Sequence, residues 1–231
     1  MSTLYLVRHG QASFGTDNYD KLSALGRQQV KILAEHLAAS GERFDRIYSG
    51  TLQRQRETAE ILASTLGLET PIVAHGAYDE YDSDSMLRTY AASLNAAQLA
   101  EFGWPELRHD RRKFQMFLER AAHAWVAAAV HDEQLLPWRQ FHARIIGGLR
   151  ELMEQEGRSR TIILSTSGGV IGTIVAHVLG LANHLGIELN WAVHNASITR
   201  LIYNSQKISL SMFNALPHLE RPEHRQLITY R

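Results

Sequence analysis

Hydrophobic positions along this chain switch between two periods, and the switching gives a first account of its fold. Thr3 to Val7 (TLYLV) is a short apolar run that stops abruptly at Arg8-His9-Gly10, as a buried strand entering a loop does. From Ser23, the stretch SALGRQQVKILAEHLAASG brings Val30, Leu33 and Leu37 to helical spacing, and Gly41 supplies a stop. The same order returns in Arg46–Ser49, a strand, and Leu52–Leu66, a helix closed by Gly67. Pro71–Ala74 reads as a third short strand. Thr161–Ser165 (TIILS) is the plainest buried strand, and Val170–Leu179 follows it as an apolar helix. Ser197–Tyr203 and Ile208–Phe213 alternate well enough to form a hairpin at a sheet edge, and beyond Pro217 periodicity fades. Strands alternating with helices predict an α/β fold, a mostly parallel sheet covered on both faces.

Tyr78 to Pro137 is too long for an ordinary connection, and it carries the helix-like runs Met86–Phe102 and Leu107–Val130. It reads as a helical cap insertion at about 78–136 within a single domain of 1–231. Its alanine-rich part, AAHAWVAAAV, fits a close helix-packing face and a homodimer contact equally well. Composition then narrows the class. The 231 residues are 45% hydrophobic and 21% charged, with no apolar run long enough for a membrane span, which sets aside a disordered tail and a fibre as well. Lys plus Arg (24) balances Asp plus Glu (24), so no global field favours nucleic acid or an anionic membrane. Cysteine is absent, which excludes disulfides and a thiolate nucleophile. The opening MSTLYLVRHG does not read as a secretory signal, and the expectation is a cytoplasmic enzyme.

Arg8-His9-Gly10 falls where the first predicted strand ends, the position at which open parallel sheets place ligands. A lone tripeptide is weak, but a second element, SGTLQRQRETA from Ser49, sets Arg54 in the first turn of the helix after strand two. Helix N–H groups and a guanidinium can hold an anion there together. The plain alternative is a solvated helix face on which Arg54, Arg56, Glu57 and Glu60 pair with one another. The twelve histidines show no convincing ligand spacing and no HExxH, EF-hand or Walker signature is present, so neither metal nor cofactor is expected.

LYLVRHG, LSALGRQQ, YSGTLQRQRETAEILA and SGGVIGTIVAHVLGL, in this order, resemble the histidine phosphatase superfamily, which includes phosphoglycerate mutases and many phosphomonoesterases. The resemblance implies a three-layer α/β/α sandwich with a helical insertion. It implies His9 as the nucleophile that becomes phosphorylated, with Arg8 and Arg54 gripping phosphoryl oxygens and Gly10 allowing close backbone approach. Gln11 and Ser13 would line the pocket, and Ala12 stands where the family often has threonine. The family's acid follows the third strand, which matches Glu80, with Asp82 the runner-up. Asp79 and Asp82 are like charges that would raise a neighbouring carboxyl into a useful range.

One departure stands out. Members typically read His-Gly-Gly after the late buried strand, and this chain reads Ser167-Gly168-Gly169. A neutral hydroxyl in place of a charge-assisted donor would forfeit roughly 1–2 kcal/mol, about one decade in rate or somewhat more. Gly168 and Gly169 would still offer N–H groups, and His194 is the best compensating histidine. His75, His36, His123 and His177 read as loop, surface or packing residues, and Trp104, Trp125, Trp138 and Trp191 as core. The expected activity is metal-independent phosphomonoester hydrolysis on a small phosphorylated metabolite. The alternatives are a phosphate-binding module of low activity, owing to Ser167, and a phosphoglycerate mutase.

Overall fold

The computed structural model describes residues 1–13, 20–104 and 110–230. The chain divides into two compact units, Met1–Glu80 with Ile145–Arg231, and Tyr81–Arg144.

The first unit is built on a six-stranded sheet. Its strands are β1 (Ser2–Arg8), β2 (Arg46–Ser49), β3 (Val73–Ala74), β4 (Thr161–Thr166), β5 (Ile198–Tyr203) and β6 (Ile208–Ala215), in the order β3-β2-β4-β1-β5-β6. Strands β3, β2, β4 and β1 run parallel, and β5 and β6 close the far edge as an antiparallel hairpin. The mixed α/β architecture anticipated from the alternating periods is therefore present, with β3 only two residues long. The β1–β4 register pairs Arg8 with Thr166, so the residues that follow, His9 and Ser167, leave the sheet side by side at its carboxyl end.

Period-two alternation divides the strand residues between two faces. Tyr5, Val7, Ile47, Ile163 and Ile198 pack with Val30, Leu33 and Leu37 of α1 (Ala24–Ala39) and with Ala59 and Leu62 of α2 (Gln53–Leu66). Leu4, Leu6, Ile162 and Leu164, on the opposite face, are equally inaccessible to water. Helix α1 begins where Ser23 accepts the Gly26 N–H at 3.0 Å, and α2 ends at Gly67 in the left-handed region, φ 65°. Helix α7 (Gly168–Leu179) packs on α8 (Asn183–Ala192) backbone to backbone, since a Cβ on Gly172 would lie 2.2 Å from the Gly186 carbonyl oxygen. The periodic reading passes over α8: Ala182 caps it without a side-chain hydrogen bond, and only Gly186, Ile187 and Asn190 are buried.

The second unit holds α3 (Ser83–Ala92), α4 (Ala96–Phe102), α5 (Arg111–Val126) and the opening turns of α6 (Trp138–Glu156). The single helix expected over Met86–Phe102 breaks at Asn95. There Asn95 Oδ1 accepts the Gln98 N–H at 3.0 Å and Gln98 Oε1 accepts the Asn95 N–H at 2.9 Å, so two backbone donors are satisfied at a new helix start. Of the run expected over Leu107–Val130, residues 107–109 lie outside the described residues, and the helix stops at Val126, two residues before Ala128 at φ 53°. Ala121 and Ala122 are fully buried, and Trp125 meets Tyr81, Trp138 and Phe141 at ring separations of 5.1–5.4 Å, so the first half of the alanine-rich stretch packs inside this unit, while Ala127, Ala128 and Ala129 are exposed. Phe117 gathers Tyr90, Phe102 and Trp104 in the same way. Among the described residues no helix is long and apolar enough to cross a membrane.

Candidate active site

Backbone contacts fix His9 before its side chain is considered. Its N–H donates to Thr166 O at 2.9 Å, and its carbonyl accepts from Ala196 N at 3.2 Å and from Asn195 Nδ2 at 3.4 Å. Gly10 is obligatory beside it. A Cβ there would lie 2.3 Å from the carbonyl oxygen of Gly26 in α1, a backbone clash that no rotamer relieves.

The imidazole Nδ1 lies 2.7 Å from Gly10 O, an atom that can only accept, so Nδ1 carries the proton. Nε2 therefore bears the lone pair, and Arg54 Nε donates to it at 3.1 Å. Burial holds the His9 pKa well below the ordinary value, and the nearby Arg54 and Arg8 guanidiniums reinforce the shift. The ring is thus neutral, in one tautomer, with its nucleophilic nitrogen beside a guanidinium.

Arg54 is placed by α2, and its other end is occupied. Its NH1 group pairs with Asp20 Oδ1 at 2.5 Å, while Asp20 Oδ2 accepts the N–H of Gln53, the first residue of that helix, at 2.8 Å. A carboxylate thus sits on the guanidinium and helix terminus that sequence reasoning reserves for an anion. Arg8 NH1 donates to Val193 O. Thr58, one turn along α2, accepts from Gly10 N at 3.3 Å and donates to Arg54 O at 2.8 Å, tying the two motifs together.

Glu80 Oε2 accepts the Gly169 N–H at 2.8 Å, which places this carboxylate at the first turn of α7, two residues from Ser167. Asp79 does different work: its two oxygens take Thr51 N at 2.5 Å and Thr51 Oγ at 2.6 Å, bracing the loop before α2. Asp82 caps α3 by accepting from Ser85 N at 3.0 Å and Ser85 Oγ at 2.6 Å. Burial pushes its carboxyl up, and these hydrogen bonds, with Arg88, more than offset that and leave it below the usual value. That is the state of a cap rather than of a proton donor.

Ser167 is buried, and its Oγ accepts from Gln55 Nε2 at 2.8 Å. Gly168 is pressed against Asn190, whose Oδ1 would lie 2.3 Å from a Cβ. Gln11 faces α1: its N–H donates to Gln29 Oε1 and its Oε1 accepts from Ser23 Oγ, each at 2.9 Å. His194 lies against Tyr230 at a ring separation of 4.2 Å and bonds to Asn214, and among the described residues no hydrogen bond joins it to His9, Arg8, Arg54 or Ser167. His75 caps the short turn Gly76–Tyr78 by accepting from Ala77 N at 3.1 Å. Among the described residues no group of three or more His, Asp or Glu side chains has the arrangement of a metal site.

The structure thus brings His9, Arg54 and the Thr166–Ser167 turn together, and sets Glu80 on the turn that follows. Sequence reasoning passed over Gln55, Thr58, Asp20 and Asn195. A signal existed for the first two. Gln55, Thr58, Ala59 and Leu62 recur at helical spacing on the buried face of α2, so a glutamine in that phase must have internal partners.

Comparison with known proteins identifies the family. The family model of the histidine phosphatase superfamily, branch 1, matches residues 4–135 and 97–216. A stretch of 65 residues, 27% of this chain, is 34% identical to the mitochondrial serine/threonine-protein phosphatase PGAM5 of Xenopus laevis, covering 24% of that protein. A stretch of 87 residues, 35% of this chain, is 30% identical to the 2,3-bisphosphoglycerate-dependent phosphoglycerate mutase of Bartonella quintana, covering 42% of it. The chain therefore matches less than half the length of either curated relative. Its fold resembles that of a phosphoserine phosphatase from Entamoeba histolytica solved with phosphoserine, with a TM-score of 0.66, 19% identity, and coverage of 95% of this chain and 100% of that one. With the family model spanning both the His9 and the Ser167 motifs, this chain belongs to the histidine phosphatase superfamily.

Proposed function

We propose that this protein hydrolyses phosphomonoesters of small metabolites, without a metal ion, through a phosphohistidine at His9. The observation that carries the proposal is the His9 tautomer: Nδ1–H held by Gly10 O and an Nε2 lone pair beside Arg54. In the first step Nε2 attacks phosphorus, the ester P–O bond breaks, and its electron pair leaves on the alcohol oxygen, which takes a proton from Glu80. In the second step water gives its proton to Glu80 and attacks phosphorus, the P–N bond breaks, and His9 and inorganic phosphate are released. Splitting the displacement in two lowers each barrier. Arg8 and Arg54 match the transferring group bidentately, supplying the positive charge that a metal would otherwise bring. For this, substrate takes the place of Asp20 and Val193 O on the two guanidiniums, and the Arg54 Nε–H passes from Nε2 to a phosphoryl oxygen, which frees the lone pair. Neither nucleic acid nor membrane enters the reading.

Hydrolysis of an aryl phosphate in the presence of chelator tests the proposal. The expected result is turnover that survives chelation and disappears in His9→Ala. Because burial and two guanidiniums keep His9 neutral, the acid limb of kcat/KM should fall well below the ordinary histidine value. A single observation, Ser167 in place of histidine, favours a second reading, phosphate binding with little turnover. Under it, Ser167→His would raise the rate by several orders of magnitude, whereas the hydrolase reading expects that variant to gain about one decade.

A further inference from the structure

The residue after Arg54 carries an inference that rests on the proposed hydrolysis and names how its site works without a second histidine. Gln55 is fully buried, and three of the four hydrogen-bonding positions of its amide, both N–H donors among them, are used. Its Oε1 accepts the Leu52 N–H at 3.3 Å, and its Nε2 donates to Tyr78 O at 3.1 Å and to Ser167 Oγ at 2.8 Å. The amide cannot be reversed, because Leu52 N can only donate and Tyr78 O can only accept. The cradle around it is equally determined. Ser165 Oγ donates to the Gln55 main-chain carbonyl at 2.8 Å, and Gly50 leaves the room that the amide occupies, since a Cβ there would lie 1.9 Å from Gln55 Oε1.

A serine hydroxyl has one proton and two lone pairs. Since Gln55 fills a lone pair of Ser167, the hydroxyl proton is left to donate elsewhere. Ser167 heads α7 without a side-chain cap bond, and among the described residues its hydroxyl donates to no acceptor. Ser167 leaves the sheet beside His9, on the strand whose Thr166 carbonyl holds the His9 N–H. We infer that Gln55 is a positioning residue: it fixes Ser167 as a hydrogen-bond donor to the phosphoryl oxygens, and the two neutral side chains act as one unit where a histidine would otherwise stand. Donation from Gln55 also polarises the hydroxyl, strengthening the bond it makes onward.

A double-mutant cycle tests this, with kcat and KM for an aryl phosphate and calorimetric affinity for inorganic phosphate as its readouts. Ser167→Ala and Gln55→Leu should each lower kcat/KM by about tenfold, the worth of one neutral hydrogen bond, and the double variant should lose about as much as either single one. Gln55→Glu keeps the shape and the Leu52 contact but turns the pair around, so that the carboxylate accepts the Ser167 proton. It should lose more than Gln55→Leu at neutral pH and recover toward it on acidification, and Ser167→Ala should erase that pH dependence. Losses that multiply in the double variant, or a Gln55→Glu deficit that pH does not move, would overturn the inference, whatever the wild-type turnover. If Gln55→Leu does not fold, the Gln55→Glu profile with and without Ser167 decides alone. If the wild-type protein shows no His9-dependent hydrolysis, the proposed function fails, while the same cycle read in phosphate affinity still decides the role of Gln55.

Discussion

The two ends of this chain's chemistry are built from opposite materials. The carboxyl end of the sheet is a buried polar lattice: Gln55, Thr58, Ser165, Thr166, Ser167 and Asn195 are all essentially inaccessible to water, and each has a hydrogen-bond partner. The unit Tyr81–Arg144 is held instead by rings, with Trp125 among Tyr81, Trp138 and Phe141, and Phe117 among Tyr90, Phe102 and Trp104. Aromatic packing tolerates many geometries of similar energy, whereas a buried amide or hydroxyl must find its one partner or pay for its desolvation. The first region specifies atoms; the second specifies volume.

Substitution should separate the two. Trp125→Ala empties the centre of the aromatic unit, leaves Leu136 O without its donor, and should cost about 3–5 kcal/mol in a denaturant titration. A cost near zero would mean that the aromatic unit is not packed as described. Arg54→Gln should do the reverse, leaving stability within about 1 kcal/mol while lowering kcat/KM by roughly a hundredfold. Lysine should not rescue it, because Arg54 reaches His9 with Nε and Asp20 with NH1 at once, a fork that an ammonium cannot reproduce. Equal stability losses in both variants would erase the contrast.

His218 sharpens the comparison, as a buried polar group that lacks what the lattice has. Neither ring nitrogen has a hydrogen-bond partner among the described residues, and its pKa is pushed down to about 3, by burial first and then by His36 and His224. Unfolded, it takes a proton near its ordinary value of 6.5, so the unfolded state binds more protons and stability falls as pH drops through 6.5 toward 3. At pH 5 the loss from this residue should be about 2 kcal/mol. Comparing urea midpoints at pH 7 and pH 5 in the wild type and in His218→Leu should show the difference shrink by that amount.

What the sequence makes legible follows the same division. Periodicity locates the sheet, α1 and α2, because β1 and β4 carry the unbroken apolar runs Leu4–Val7 and Ile162–Leu164 and α1 repeats Val30, Leu33 and Leu37. Motif spacing locates His9, Arg54 and Ser167, which the sheet then gathers. The hydrogen-bond partners stay hidden, since Gln55, Asn195 and Asp20 acquire meaning only from residues distant in sequence: Gln55 from Ser167, Asn195 from His9 and Thr229, Asp20 from Arg54. Asn195 illustrates this most sharply. It follows His194, the residue with the more suggestive chemistry, yet it is Asn195 whose amide reaches the His9 carbonyl while His194 turns to Asn214 and Tyr230. The acidic run Tyr78–Asp84 shows the converse, for three of its four carboxylates have separate duties, at Thr51, Gly169 and Ser85.

The proposed reaction turns on one bond, from the Nε2 lone pair of His9 to phosphorus. Rapid quenching of the protein with an aryl phosphate, followed by peptide mass spectrometry under alkaline conditions that preserve phosphohistidine, tests it most directly. One phosphoryl group is expected on the peptide containing His9, lost in acid and absent from His9→Ala. Burst-free turnover with no phosphoryl group on that peptide, or a phosphopeptide that survives in His9→Ala, would contradict it.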